Sequence, residues 1–138
     1  MNATIMALLG YISWTLMLLV ALVLYRTSLV LSRKRAPNGF KADGSDASPF
    51  GQRLTRAQAN CVESFVFIGG LLMLALLAEQ TAVTDGLAYT LLVARLGQSL
   101  SHLRSVSNRA VKIRFVFFLV QVLICIYWAI QMALNLLA

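Results

Sequence analysis

The feature that most constrains this chain is its beginning, because residues 1–25 contain no charged side chain. A membrane hydrocarbon core about 30 Å thick is spanned by roughly 20 apolar residues in a helix, which satisfies every backbone amide within the segment. Residues 64–78 and 115–138 are also uncharged, and residues 86–103 contain one Arg and one His. The sequence therefore predicts an all-α, integral membrane four-helix bundle.

The predicted bundle occupies the whole chain as a single domain, residues 1–138. Hydrophobic residues make up 59% of the sequence and charged residues 12%, which excludes an ordinary soluble domain. No basic residue precedes the first apolar run and no small-residue cleavage pattern follows it, so we expect this helix to be retained. Cys61 and Cys125 both fall in predicted spans, which indicates packing thiols and no disulfide. The predicted spans are residues 5–25, 57–79, 86–103 and 114–137.

The basic residues are concentrated in two of the three connections between the predicted spans, whereas the second connection carries Glu79 and Asp85 and no base. By the positive-inside rule, the first and third connections face the cytoplasm and both termini face outward. The net charge of +7 therefore indicates orientation in a membrane and contact with its lipids, not binding to nucleic acid. We expect a multi-pass protein of a bacterial inner membrane. The basic residues of these connections are Arg26, Arg33, Lys34, Arg35, Lys41, Arg53, Arg56, Arg104, Arg109, Lys112 and Arg114.

A long polar segment, residues 26–53, separates the first two predicted spans. It is rich in Pro, Gly, Ser and Asp and has no apolar periodicity, which is typical of a loop. Loops of this length are either functional lids or disordered segments. We expect a partly ordered cytoplasmic cap, in which Arg33, Lys34 and Arg35 are as well suited to holding anionic lipid head groups as to any specific role.

Three of the predicted helices carry a polar stripe near their cytoplasmic halves. At 100° per residue, spacings of three, four and seven residues return to one face of a helix. A charged side chain inside a span costs at least about 2.5–3.5 kcal/mol, so such groups usually face the interior of a bundle. The stripes consist of Arg56, Asn60 and Glu63, of Arg95, Gln98 and His102, and of Arg114 and Gln121.

These stripes have more positive than negative charge. The cytoplasmic half of the predicted bundle has one buried carboxylate, Glu63, against four arginines: Arg26, Arg56, Arg95 and Arg114. This imbalance predicts a cationic pocket that binds an anionic ligand. Glu63 would pair with an arginine or receive a ligand ammonium group, although counting residues separates it from Arg95 by about 10 Å along the membrane normal. The alternative is that the stripes hydrogen-bond one another and only hold the bundle together.

The stretch Arg56-Ala57-Gln58-Ala59-Asn60-Cys61-Val62-Glu63 resembles the Arg-x-x-x-Asn-x-x-Glu signature of the MAPEG family, the membrane-associated proteins of eicosanoid and glutathione metabolism. The match is nearest to the leukotriene synthase branch. Arg95-x-x-Gln98-x-x-x-His102 resembles the polar face of the family's third helix, and Ile113-Arg114 resembles the start of its fourth. The chain length, four spans and outward termini are similar to that family throughout.

The resemblance implies a homotrimer that binds glutathione as a co-substrate between adjacent subunits near the cytoplasmic face. Arg114 would be the catalytic residue that holds the thiolate, and no metal is expected. The expected activity is that of a transferase or peroxidase acting on a lipophilic electrophile or hydroperoxide from the bilayer. Phe115, Phe117, Phe118 and Trp128 would either line an apolar groove for this substrate or contact lipid. The implied glutathione-binding residues are Arg26, Arg56, Gln58, Asn60, Glu63, Arg95, Gln98 and His102.

Two departures from the family pattern leave alternatives open. The family often has Tyr directly after the Glu and an aromatic hydroxyl on the third helix, where this chain has Ser64 and His102. A non-catalytic family member that binds lipid or a partner protein is therefore the main alternative to an enzyme, and Arg109 competes with Arg114 for the catalytic role. We disfavour a proton-coupled exporter, because such exporters place their essential carboxylate in the first span, which here is uncharged.

Overall fold

The computed structural model describes residues 2–138, so Met1 lies outside the described part, and it contains four α-helices. Short connections after the second and third helices make sequential neighbours antiparallel. The first helix packs on the second and third, and the fourth packs on the third and the second. The predicted all-α membrane four-helix bundle is confirmed. The helices are α1 (Ala3–Leu31), α2 (Pro49–Leu77), α3 (Thr81–Arg104) and α4 (Asn108–Leu137).

Three of the helices begin at side chains that accept hydrogen bonds from the first turn. Asn2 caps α1, Ser48 caps α2 ahead of Pro49, and Ser107 caps α4 by accepting from the backbone N–H of Ala110. Such caps satisfy amide groups that have no partner within a helix, and Pro is favoured in the first turn. The starts of these helices are therefore encoded locally.

The first connection is shorter than predicted. We expected a loop over residues 26–53, but α1 continues to Leu31 and α2 already begins at Pro49. The prediction was wrong because it followed the apolar runs, and a helix continues past its apolar part wherever polar residues tolerate helical geometry. α3 likewise begins at Thr81, five residues before the predicted 86, after a tight turn in which Glu79 has a φ of 56° and Gln80 is the N-cap residue.

The connection over residues 32–48 is tied down at its base. Arg35 donates hydrogen bonds to the carboxylate of Asp46 at 2.6 Å and to the carbonyl oxygen of Gly39 at 3.0 Å. The guanidinium carbons of Arg35 and Arg26 both lie 5.5 Å from the centre of the Phe40 ring. The segment therefore forms an ordered cap against the end of α1.

The outer surface of the bundle is strongly apolar. Val66 is 79% exposed and Leu24 63%, as expected for side chains that contact lipid. α1, α2 and α4 are long and apolar enough to cross a membrane. α3, with 24 residues, is long enough at about 36 Å, but it carries polar residues that the other helices bury. Trp128, expected at a groove or in lipid, is instead fully buried in the core, because its face of α4 packs inward.

Candidate functional site

At the end of the bundle that carries the 32–48 cap, α2, α3 and α4 surround a cavity of about 200 Å³. α2 contributes Arg56, the last turn of α3 contributes His102, and α4 contributes Arg114. No carboxylate lines this space, so it carries an excess of positive charge. We call it the basic cavity; its other lining residues are Pro49, Gln52, Arg53 and Val106.

A direct contact holds Arg114 in the basic cavity. Arg114 Nη1 lies 2.7 Å from His102 Nδ1. A guanidinium has donors only, so Nδ1 must accept and the imidazole must be neutral with its proton on Nε2. The other N–H groups of Arg114 donate to no residue in the described part of the chain. Arg114 is therefore oriented by one contact and keeps donors free for an anion.

Arg95 lies deeper in the bundle, two turns before His102 on α3, and its side chain is completely buried. Its Nε donates to Gln121 Oε1 at 2.8 Å. Nη1 donates to Asn60 Oδ1 and Nη2 to Gln98 Oε1, both at 2.7 Å. Gln121 Nε2 in turn donates to Gln98 Oε1 at 2.8 Å. Three helices are thus joined through one guanidinium.

The two remaining N–H groups of Arg95 also have acceptors. Nη2 is 3.3 Å from Ser64 Oγ, and Nη1 is 3.8 Å from Cys61 Sγ. The guanidinium carbon lies 5.7 Å from the centre of the Tyr11 ring, which favours a cation. All five donors are therefore occupied by neutral groups. We call the set formed by Arg95, Asn60, Cys61, Ser64, Gln98 and Gln121 the Arg95 network.

Glu63 faces away from the Arg95 network. It follows Asn60 by three residues on α2, yet its side chain is exposed, as is that of Arg56. Glu63 forms no ion pair with Arg95, because α2 turns its side chain outward and the Arg95 donors meet Asn60 and Gln121 instead. An exposed carboxylate in the middle of an apolar helix is unfavourable in lipid. This face of α2 is therefore suited to contact with a ligand or a second protein chain.

Arg26 and Arg109 lie outside the basic cavity. Arg26 borders a separate cavity of about 500 Å³ beneath the cap, where it stacks on Phe40. Arg109 borders another cavity of about 350 Å³ at the start of α4. Of the two candidates for the thiolate partner, Arg114 is thus the one that lies with Arg56 and His102.

Comparison with protein families identifies the family of the chain. A sequence model of the MAPEG family matches residues 4–134, which include nearly the whole of all four helices. The chain belongs to the MAPEG family. MAPEG proteins are membrane helical bundles, and the family includes glutathione transferases and peroxidases. No curated protein and no solved structure shows significant similarity to this chain.

The chain of this MAPEG protein thus divides the predicted site residues among three places. Arg56, His102 and Arg114 share the basic cavity. A second group is tied together in the Arg95 network and consists of Asn60, Arg95 and Gln98. The third group, Arg26, Gln58 and Glu63, joins neither set. The predicted cationic pocket with Arg26, Arg56, Arg95 and Arg114 is not formed within one chain.

Several contributing residues were not identified from the sequence. Arg53 lines the basic cavity, and its Nε donates to the carbonyl oxygen of Leu103 at 2.8 Å, which joins α2 to the end of α3. Its position, one helical turn before Arg56, could have indicated that Arg53 lies on the same face of α2. Ser64, four residues after Asn60, continues the same stripe toward Arg95. Within residues 2–138, no cluster of three or more His, Cys, Asp or Glu side chains is placed to hold a metal.

Proposed function

We propose that this MAPEG protein is a glutathione-dependent membrane transferase or peroxidase, with the basic cavity as part of its glutathione site. The observation that carries the proposal is the convergence of Arg56, His102 and Arg114 on a cavity without a lining carboxylate. Glutathione is a small anion with two carboxylates, one ammonium group and a thiol. Bidentate contacts from arginine suit its carboxylates.

Arg114 is the residue that we assign to the glutathione sulfur. The contact with His102 orients it, and its free N–H groups are available to an anion. A thiol with an ordinary pKa of about 8.5 becomes more acidic beside a guanidinium in a partly desolvated site. A fall of about two units in the pKa of the thiol corresponds to about 2.7 kcal/mol. The thiolate then attacks carbon in an electrophile, so that a C–S bond forms as the leaving group departs with the bonding electrons. With a hydroperoxide it attacks oxygen and the O–O bond breaks, which gives an alcohol and glutathione sulfenic acid; a second glutathione converts the sulfenic acid to the disulfide and water.

We further propose a homotrimer of the leukotriene synthase type, in which glutathione lies between adjacent subunits. The exposed side chains of Arg56 and Glu63 support this assembly, because a neighbouring copy would cover them and remove Glu63 from lipid. Arg26 borders a different cavity of its own chain. In a trimer, the Arg26 side chain of a neighbouring copy would therefore be the one that reaches the glutathione site. Gln58 and Glu63 would complete it from α2.

The second substrate is proposed to reach the thiolate from the bilayer of a bacterial inner membrane, on its cytoplasmic side. One suitable surface is an apolar groove of about 360 Å³ between α1 and α2. It includes Val62, which directly precedes Glu63, so a lipophilic molecule held there lies beside the polar face of α2. Such grooves bind apolar ligands mainly by removing their surface from water.

A non-catalytic MAPEG protein that binds a lipid or a partner is the second candidate. The observation that favours it is the position of Ser64, which stands where the family often has Tyr. Its hydroxyl is buried against Arg95 at 3.3 Å and is not available to a ligand. Turnover measurements decide between the two functions.

The first experiment is thermal unfolding of the detergent-purified protein against increasing glutathione, with Arg56→Ala beside it. A ligand at ten times its dissociation constant stabilises the folded state by about 1.4 kcal/mol. We expect a saturating rise of Tm in the unmutated protein and little or none in Arg56→Ala, because the variant lacks the guanidinium that binds a carboxylate of glutathione. No rise in the unmutated protein would contradict glutathione binding.

Turnover is measured in the same preparation with a lipophilic aryl halide and an organic hydroperoxide as separate second substrates. Formation of the thioether with the halide indicates a transferase, and reduction of the hydroperoxide indicates a peroxidase. A protein that binds glutathione but turns over neither probe, in detergent or in vesicles, would favour the non-catalytic alternative.

A further inference from the structure

We propose that Arg95 is a positioning residue that fixes the side-chain amide of Asn60, so that Asn60 presents only N–H donors to the ligand. The ligand group opposite Asn60 must then be a hydrogen-bond acceptor, such as a carboxylate or a peptide carbonyl. This inference rests on the proposed function, because it concerns which groups of glutathione form hydrogen bonds at that site.

The orientation of the amide follows from the chemistry of arginine. A guanidinium can donate but cannot accept, so the atom that faces Arg95 Nη1 at 2.7 Å must be the amide oxygen of Asn60. The same argument applies to Gln98 and Gln121, whose oxygens face Arg95 Nη2 and Nε. Once these oxygens face the guanidinium, none of the three amides can rotate by 180° without placing a donor against a donor.

The oxygen of Asn60 is occupied twice. It accepts from Arg95 Nη1 at 2.7 Å and from Gln98 Nε2 at 3.2 Å. Its Nδ2 group donates to no other residue in the part of the chain that the structure describes, although the Asn60 side chain is only half-buried. An amide whose oxygen is tied to the interior directs its nitrogen toward the accessible side. Asn60 therefore offers two unused N–H bonds to a ligand.

The N–H donors of Asn60 lie between two charged side chains, Arg56 and Glu63, and we call these three residues the row on α2. Arg56 precedes Asn60 by about 6 Å along the helix axis, and Glu63 follows it by about 4.5 Å. Arg56 and Glu63 are exposed on the same side of the helix. The row presents a cation, a neutral donor and then an anion. A ligand that matches it carries its acceptors at the Arg56 end and its ammonium group at the Glu63 end, as a zwitterionic peptide thiol does.

The deciding variant is Asn60→Asp, which keeps the shape of the side chain but replaces its N–H donors by an oxygen. One carboxylate oxygen still faces Arg95, which gains a counter-charge, so Tm without ligand should be unchanged or higher. The other oxygen faces the ligand and repels its acceptors. We expect the Kd for glutathione to rise at least about tenfold. A purely structural role for Asn60 would leave this Kd unchanged.

Asn135→Asp is the matched control, because it makes the same chemical change on α4, where the Asn135 side chain hydrogen-bonds only with Gln80 among the described residues. Glutathione affinity should be that of the unmutated protein. If Asn60→Asp binds glutathione as tightly as Asn135→Asp, the inference is wrong. If Asn60→Asp does not fold, Asn60→Ala replaces it, and an unchanged Kd in that variant is equally contradictory.

Arg95→Lys tests the positioning role itself. Lysine keeps the charge but lacks the planar fork that holds the amides, so Asn60 becomes free to rotate. We expect KM for glutathione to rise about fivefold or more, with kcat at saturation within about twofold, because Arg95 does not contact Arg114. A fall in Tm with an unchanged KM would show that Arg95 is only structural. Absence of glutathione binding by the unmutated protein would instead overturn the proposed function, and this inference with it.

Discussion

Arg95 and Arg114 lie on neighbouring helices, and they differ in how many of their N–H donors have acceptors within the protein. Every N–H group of Arg95 has a protein acceptor, and the side chain is fully buried. Among the described residues, Arg114 has one hydrogen bond, to His102, and it borders a cavity. An arginine with all its donors occupied holds its neighbours in place, whereas one with free donors can stabilise an anion. This difference supports our proposal that Arg114 stabilises the thiolate and that Arg95 is a positioning residue.

The largest effect on stability is expected at Arg95. Arg95→Met removes the only hydrogen bond described for Gln121 Oε1 and one of two to Asn60 Oδ1, and buried acceptors without partners are costly. We expect the free energy of unfolding to fall by about 3 kcal/mol, measured from thermal or denaturant midpoints in detergent. The exposed control, Arg104→Met, should change it by less than about 0.5 kcal/mol. Equal midpoints for the two variants would remove the distinction between the arginines.

The largest effect on activity is expected at Arg114. Arg114→Ala removes the donor assigned to the thiolate, and loss of one such donor typically lowers kcat by about 100-fold or more. The rise of Tm with glutathione should persist, since Arg56 and the row on α2 are unchanged. Arg109→Ala is the matched control and should keep most of its turnover. An equal loss of turnover in both variants would contradict the assignment of the thiolate to Arg114 over Arg109.

A smaller effect is expected at His102, which we interpret as the residue that orients Arg114. His102→Gln retains an oxygen that can accept from the guanidinium, whereas His102→Phe does not. We expect kcat to remain within about threefold in the first variant and to fall about tenfold in the second, in line with one hydrogen bond to a charged group. If Phe were tolerated as well as Gln, the contact at 2.7 Å would not be important for turnover.

The smallest effect is expected at Arg35, a third arginine with several acceptors but at the surface. Burial tends to raise the pKa of Asp46, but hydrogen bonds from Arg35 and from the Lys41 backbone outweigh it, and the pKa lies below its ordinary value. A carboxyl of this kind stabilises the cap above its unfolded pKa of about 3.9, and this is lost as pH falls through the folded pKa.

Asp46→Asn imitates the protonated carboxyl at neutral pH. We expect faster tryptic cleavage after Arg33, Lys34 or Lys41 in the cap, with no measurable change in the Tm of the bundle, because exposed ion pairs contribute little. Asp43→Asn is the matched control, since Asp43 accepts a hydrogen bond from the backbone N–H of Ser45 and forms none with Arg35 among the described residues. Equal cleavage of the two variants would mean that the Arg35 contact does not order the cap.

The polar stripes could be predicted from the sequence because helical spacing determines which residues share a face. The third-helix stripe is an example, since Arg95 and Gln98 are indeed buried together. Spacing does not determine which atoms of a neighbouring helix occupy the space opposite. Arg95 was therefore expected in a ligand pocket, although its long side chain instead reaches Gln121 on α4 and Asn60 on α2.

The depth argument for Glu63 shows the same limit. Counting residues placed it about 10 Å from Arg95 along the membrane normal, yet Arg95 contacts Asn60 and Ser64, which flank Glu63 on α2. What keeps Glu63 from Arg95 is the rotation of α2 about its axis, which turns position 63 outward. That rotation depends on packing against α1 and α3, where Ile68 and Leu72 are fully buried.

The sequence by itself determined that the chain is a membrane bundle of four helices, because uncharged runs long enough to cross a bilayer leave no other way to satisfy the backbone. It also placed Arg56, Asn60 and Glu63 on one helix as a family signature. Only the tertiary structure decided which arginines keep donors for a ligand. Hydrogen-bond occupancy depends on acceptors that different helices bring to within about 3 Å, and no spacing along one chain segment contains that information.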